Sequence, residues 1–261
     1  MINEQTYHVE VEALEPVRVG GAPDPLSGQD NPVAIVGSDA TIPGSSLKGA
    51  LRGEIERFLI DRYYDARAGR WPDNRRAAQP CLAATQVWRS EEQLVNSGRY
   101  RLTKAAQGRR RPESICAYPL PQGATGICPA CYLLGAQGLV GFVKVPFLWC
   151  QVSPDALYSA RIDRSSGTVA TGTNREYQLL PRGTRFGGTL YLLEEDTALG
   201  WRLGEARPLP GNPDAWLALG WDRDTIVKEL LVERLEAIRY LGGYKSKGMG
   251  RVRVTVRPQE A

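Results

Sequence analysis

The sequence predicts an α+β fold, on three observations. Apolar residues alternate with polar ones at both ends of the chain, from Tyr7 to Leu14 and from Arg251 to Arg257, the period of a half-buried strand. Two other segments carry a helical stripe: Leu47, Leu51, Ile55, Phe58 and Leu59 in one, Ile226, Val227, Leu230, Leu231, Leu235, Ile238 and Leu241 in the other. Strands and helices follow each other as strand, helix, strands, helix, strand, which suits one antiparallel sheet backed by two helices.

The first strand covers Tyr7 to Leu14, and a loop of Gly, Pro, Asp and Ser runs from about Gly20 to Gly44. Ser45 or Ser46 is expected to cap the first helix, which ends near Tyr63 and Tyr64. Residues from about Asp65 to Pro129 are rich in Arg, Gln, Pro and Gly and read as an irregular insertion. Leu139 to Val152 is expected as a strand centred on Gly141–Val145. A hairpin is expected over Ser159 to Phe186, tipped by Ser165–Thr168, and a further strand over Gly188 to Leu193. The last helix starts near Asp224. The order is that of a ferredoxin-like or RRM-like sheet with long insertions.

The 261 residues suffice for a sizeable core, and 42% hydrophobic with 24% charged residues is a globular balance. No apolar run is long enough to span a membrane. The N-terminus is polar, without a signal-peptide pattern, so a cytoplasmic location is expected. Net charge is only +4, but the 33 basic residues comprise 27 arginines and 6 lysines. Base composition of a genome can produce such an excess; position says more. Residues 62–111 carry 12 basic and 4 acidic residues, a local footprint for a polyanion.

Four constellations are candidates for chemistry. Leu241 to Arg251 holds four glycines and three cations between a helix and a strand. It is a turn or a phosphate cradle, with Lys245, Ser246, Lys247, Gly248 and Arg251 as contacts. The start of the first helix offers N–H groups, Ser45, Ser46, Lys48 and Arg52 to an anion. Cys116, Cys128 and Cys131 include a Cys-x-x-Cys step, and Cys81 is the best fourth ligand for a tetrahedral structural zinc. Four cysteines would close such a site to catalysis. Cys150, in an apolar stretch, is expected as a core thiol. Asp30 lies in a Gly/Pro-rich loop and is a candidate base or metal ligand, with Asp24 and Asp39 as competitors. His8 is the one histidine, expected to be structural or on the strand's solvent face.

These pieces together resemble the RAMP superfamily of CRISPR proteins over about residues 7–257. Ile42-Pro43-Gly44-Ser45-Ser46-Leu47-Lys48-Gly49-Ala50-Leu51-Arg52 is similar to the first-helix signature of that superfamily. Cys128-Pro129-Ala130-Cys131-Tyr132-Leu133-Leu134-Gly135 is similar to its cysteine segment, with Leu134 where Phe is usual. Arg161 to Thr168, with Leu180 to Phe186, resembles its central hairpin, and Gly242 to Arg251 its glycine-rich loop. Within the superfamily the chain resembles the backbone subunit of type III CRISPR effector complexes. Gln29-Asp30-Asn31-Pro32-Val33 matches the segment carrying their catalytic aspartate, although the following loop is shorter and lacks the usual arginine-aspartate stretch.

The resemblance implies one RAMP domain over 1–261: a modified ferredoxin-like palm, a zinc-containing finger insertion over about 65–137, and a thumb hairpin over about 159–186. It implies binding of a CRISPR guide RNA, complementary target RNA and related effector subunits. The Ser45/Ser46 helix start and the Lys245–Arg251 loop would hold guide phosphates. The thumb with Arg164 would kink the guide–target duplex, and Arg109, Arg110 and Arg111 in the finger would touch RNA or a neighbouring subunit. Asp30, with a divalent cation (Mg2+ or Mn2+), would assist attack by the target's own 2′-hydroxyl. A purely structural guide-binding subunit shares every binding motif and differs at Asp30. A guide-processing nuclease would commonly use histidine, which the lone His8 disfavours.

Overall fold

In a computed structural model of the chain, residues 1–21, 32–82, 97–101, 116–120, 124, 126–173 and 175–259 are described. Strand β1 is Ile2–Ala13, followed by the short hairpin of β2 (Ile35–Val36) and β3 (Asp39–Ile42) and by helix α1 (Gly44–Tyr63). A 3-10 turn covers Asp73–Ala78 and helix α2 Pro129–Leu134. Strands β4 (Val143–Lys144), β5 (Leu148–Cys150), β6 (Asp155–Ser159), β7 (Arg175–Leu179), β8 (Arg185–Asp196) and β9 (Trp201–Arg202) come next. Helix α3 spans 223–236, an α-helical turn, a π-helical stretch Ile226–Val232 and an α-helical end in succession. Strand β10 is Val252–Pro258.

The main sheet runs β10-β1-β8-β5-β3-β2, with β4 and β9 also on β8, and every pairing is antiparallel. β10, β1, β8 and the β4–β5 segment are thus strands four, one, three and two of a ferredoxin-like unit, with α1 and α3 as its helices. The alternation in β1 decides its faces. Val9, Val11 and Ala13 turn inward with Phe186, Leu190 and Leu192 of β8 and Val252, Val254 and Val256 of β10. They pack in one core with Leu47, Leu51, Ile55 and Leu59 of α1 and Ile226, Leu230, Leu231 and Leu235 of α3. Each such leucine or isoleucine contributes about 1.5–3 kcal/mol by leaving water. Outward residues of the same strands form an ion-pair ladder, with Arg185 between Glu10 and Glu12 and Arg253 against Glu12. His8 belongs to that outward face, the second of the two places expected for it.

Several expectations are corrected. Pro43, not Ser45 or Ser46, stands at the N-cap of α1, and no side chain caps the helix. Proline's fixed φ, here −57°, starts the helix without a capping oxygen. Gly44 is the packing residue: a Cβ there would lie 2.1 Å from the Val145 carbonyl oxygen. The expected strand over Leu139–Val152 is two short ones, β4 and β5, because Pro146 between them cannot donate to a ladder. The hairpin is β6–β7 and begins earlier, at Asp155, while Phe186 belongs to the palm in β8. Ser165–Thr168 does form its tip, where Asp163 accepts from the N–H groups of Ser165 and Ser166. Among the described residues no helix is long and apolar enough to cross a membrane.

Candidate metal centre and nucleic-acid interface

Cys81, Cys116, Cys128 and Cys131 converge from the segment after the 3-10 turn, from the insertion and from the start of α2. Their sulfurs all lie within 4.8 Å of one another, and all four residues are buried. Cys81 and Cys131 are 3.4 Å apart, Cys81 and Cys128 3.8 Å. Tetrahedral zinc with bonds of about 2.3 Å needs sulfurs about 3.8 Å apart, so the donor set fits a four-thiolate zinc ion. Hydrogen bonds to neighbouring thiols, that with Cys116 foremost, hold the Cys128 thiol well below the usual range and push that of Cys131 well above it. Without a cation the crowded set accommodates little negative charge; a dication lets the remaining thiols ionise.

The surroundings complete the site. The Cys128 N–H donates to the Cys116 sulfur at 3.2 Å. Arg52 reaches the Cys131 sulfur at 3.4 Å and pairs with Glu56 at 3.8 Å. Burial pushes the Glu56 carboxyl up to about 8, with Arg52 pulling it back. Arg101 lies 3.8 Å from the Cys116 sulfur and donates to the carbonyls of Gln79 and Ala77 at 2.7 Å, and to that of Gly126. Two guanidiniums therefore stand against a cluster that would carry a double negative charge around zinc. Arg101 is a residue sequence reasoning missed; nothing in its local sequence separates it from the other arginines. Cys150 lies apart from the cluster, in the core, as expected.

The glycine-rich loop stands on a different part of the palm. The Leu241 N–H donates to Gly250 O at 2.8 Å and closes its neck. The Gly243 and Gly250 N–H groups donate to the carbonyls of Arg18 and Pro16, both at 2.9 Å. Gly242 has φ +79°, and a Cβ on it would sit 2.1 Å from the Arg18 carbonyl oxygen, so only glycine permits this contact. The tip is a 3-10 turn, Lys245–Lys247, entered through Tyr244 in the left-handed region, φ 57°. Lys245, Ser246, Lys247, Gly248 and Arg251 are exposed. The Lys247 ammonium lies 4.8 Å from the Tyr244 ring centre and 5.2 Å from that of Tyr177 on β7, and the Arg18 guanidinium lies 5.3 Å from that of Tyr244. Arg18, Tyr177 and Tyr244 were not singled out by the sequence.

Asp30, Asp24, Arg109, Arg110 and Arg111 lie outside the described residues. The base of the loop carrying Asp30 is described. Gly20 bridges Val33, the Gly21 N–H donates to Pro32 O at 3.1 Å, and Arg18 donates to the same carbonyl at 3.4 Å. The Val33 N–H donates to Gln178 Oε1 of β7 at 3.1 Å. Segment 16–21, the glycine-rich loop and the root of the β6–β7 hairpin thus meet at this loop base. Of the remaining candidates, Arg164 is exposed at the hairpin tip and Ser45 at the start of α1. Among the described residues no hydrogen bond joins Ser45 or Ser46 to the glycine-rich loop. Arg52 turns to the cysteines, and burial together with Arg52 lowers the pKa of Lys48. Asp39 accepts from Ser38 in the turn between β2 and β3.

The architecture is a ferredoxin-like palm with a glycine-rich, cationic loop beside its first strand and a separate hairpin. Residues 10–253 match the family model of the RAMP superfamily. The chain belongs to that superfamily and is a CRISPR-associated RNA-binding subunit. RAMP proteins generally bind CRISPR RNA and other effector subunits. A search of curated proteins finds no match to the chain.

Proposed function

We propose that the chain is a guide-RNA-binding backbone subunit of a type III CRISPR effector complex and that it cleaves complementary target RNA. The observation that carries this reading is the junction of the glycine-rich loop, segment 16–21 and the hairpin root at the base of the loop holding Asp30. The exposed Lys245 and Lys247 then stand on a loop that meets, through segment 16–21, the base of the segment in which Asp30 lies in sequence. The exposed Lys245, Lys247 and Arg251 would hold guide phosphates without reading sequence, and binding would weaken with salt. The hairpin tip would part the duplex so that one target nucleotide leaves the stack.

In the cleavage step the target 2′-hydroxyl loses its proton to Asp30 and its oxygen bonds to the adjacent phosphorus. The bond to the 5′-oxygen breaks, that oxygen takes a proton from water, and a 2′,3′-cyclic phosphate and a 5′-hydroxyl result. In the alternative role Asp30 would hold a divalent cation, which would supply charge neutralisation at the phosphoryl group. Among the described residues the cysteines are the one clustered metal-donor set, which supports a structural role for their metal. The test is target cleavage by the assembled complex. Asp30→Ala is expected to keep guide and target binding and abolish cutting; unchanged cutting refutes the assignment of Asp30 and moves the role to Asp24 or Asp39, or to another subunit.

A further inference from the structure

The C-terminal end of α1 carries a cleft that neither the glycine-rich loop nor the cysteines explain. It has a volume of about 440 Å³ and is lined by Arg62, Tyr63, Pro72, Arg75 and Leu219. That is the size of an ordinary small-ligand site. The aromatic ring of its lining is that of Tyr63. The Arg75 guanidinium stands 5.4 Å from that ring's centre and the Arg62 guanidinium 5.6 Å from it. The two cations differ in what else they touch. Arg62 is also 5.2 Å from the Trp221 ring centre and pairs with Glu229, so it is locked in place and partly neutralised. Arg75 makes no side-chain hydrogen bond or ion pair with any described residue. Its fork is held over an aromatic face with its donors still to be used.

Arginine in this setting has two uses at once. Its N–H groups match phosphate oxygens, and its plane can take a base as a stacking partner. Because the tyrosine already orients the guanidinium, less side-chain freedom is lost when an anion arrives. An acidic protein segment would use the charge but not the stacked planes. The cleft also opens the stretch of sequence, residues 62–111, that carries a net +8. We propose that this cleft binds a phosphodiester of single-stranded RNA, a second RNA contact separate from the glycine-rich loop. The proposal rests on the RNA-binding reading of the chain.

The test is the affinity of the full-length chain for a fluorescent single-stranded uridine RNA over a series of salt concentrations. One phosphate contact on a single strand contributes about 0.7 to the slope of log K against log salt. Losing it lowers affinity about 5-fold at about 0.1 M salt relative to about 1 M. Arg75→Ala is expected to show both changes with an unaltered melting temperature, because Arg75 is not part of the core. Lys247→Ala serves as the reference for the glycine-rich loop. If Lys247→Ala weakens binding and Arg75→Ala changes neither affinity nor slope, the cleft is not an RNA site while the guide-RNA reading stands. If the wild-type chain binds no RNA, both fall.

Discussion

Arg52→Met separates two tasks that the same arginine can serve. Sequence motifs put Arg52 with the RNA contacts at the start of α1; its guanidinium instead lies 3.4 Å from the Cys131 sulfur, on a side chain only 16% exposed. At an effective dielectric of about 20, unit charges at that distance attract by about 5 kcal/mol before desolvation. Desolvation of both groups takes back much of this. Outer-shell partners of metal sites typically matter by about 10- to 100-fold in affinity, about 1.4–2.7 kcal/mol. The variant keeps a straight apolar stem and removes the charge. Zinc affinity, measured on the full-length chain by competition with a chromophoric chelator, is expected to fall by about that factor. RNA affinity, measured in parallel, is expected to stay the same. Unchanged zinc affinity with weakened RNA binding would refute the reasoning and return Arg52 to the RNA surface.

Asp214→Ala leaves the Arg207 guanidinium, packed 4.9 Å from the Tyr132 ring centre and fully enclosed, without its carboxylate. A loss of about 3–5 kcal/mol, on the order of 10 °C in melting temperature, is expected by thermal denaturation, and a much smaller one for Arg207→Met with Asp214→Leu together. Acidification is expected to release zinc before the sheet unfolds, because protons compete for four thiolates; metal release followed by a colorimetric indicator, beside far-UV circular dichroism, checks the order.

The palm was legible because its strands and helices have unambiguous periods: β1, β10, α1 and the core stripe of α3 all follow from spacing alone. Failures fall where a local rule was overridden. Pro43 starts α1 although two serines offered a cap, and Pro146 divides one expected strand into two. Ile238 and Leu241 are buried beyond the end of α3, so their stripe was real although the helix had stopped. The four cysteines were found because metal coordination constrains residue type and spacing. Arg101, Arg18 and Tyr177 were not, because their roles come from partners distant in sequence: Arg101 from carbonyls 22 and 25 residues away, Tyr177 from a ring on the glycine-rich loop. Arg52 shows the complementary limit of a motif: its place in one did not say that its side chain turns to Cys131 and Gly135.

The central claim is that this palm holds a guide RNA through its glycine-rich loop. The most direct measurement is recovery of the tagged chain from cells carrying its CRISPR locus, followed by sequencing of the RNA that comes with it, for wild type and Gly242→Val. A side chain at Gly242 would be driven into the Arg18 carbonyl and lift the loop from its seat. The account predicts guide RNA with the wild type and its loss from a variant that remains folded. Guide RNA retained by the folded variant, or absent from the wild type, would contradict it.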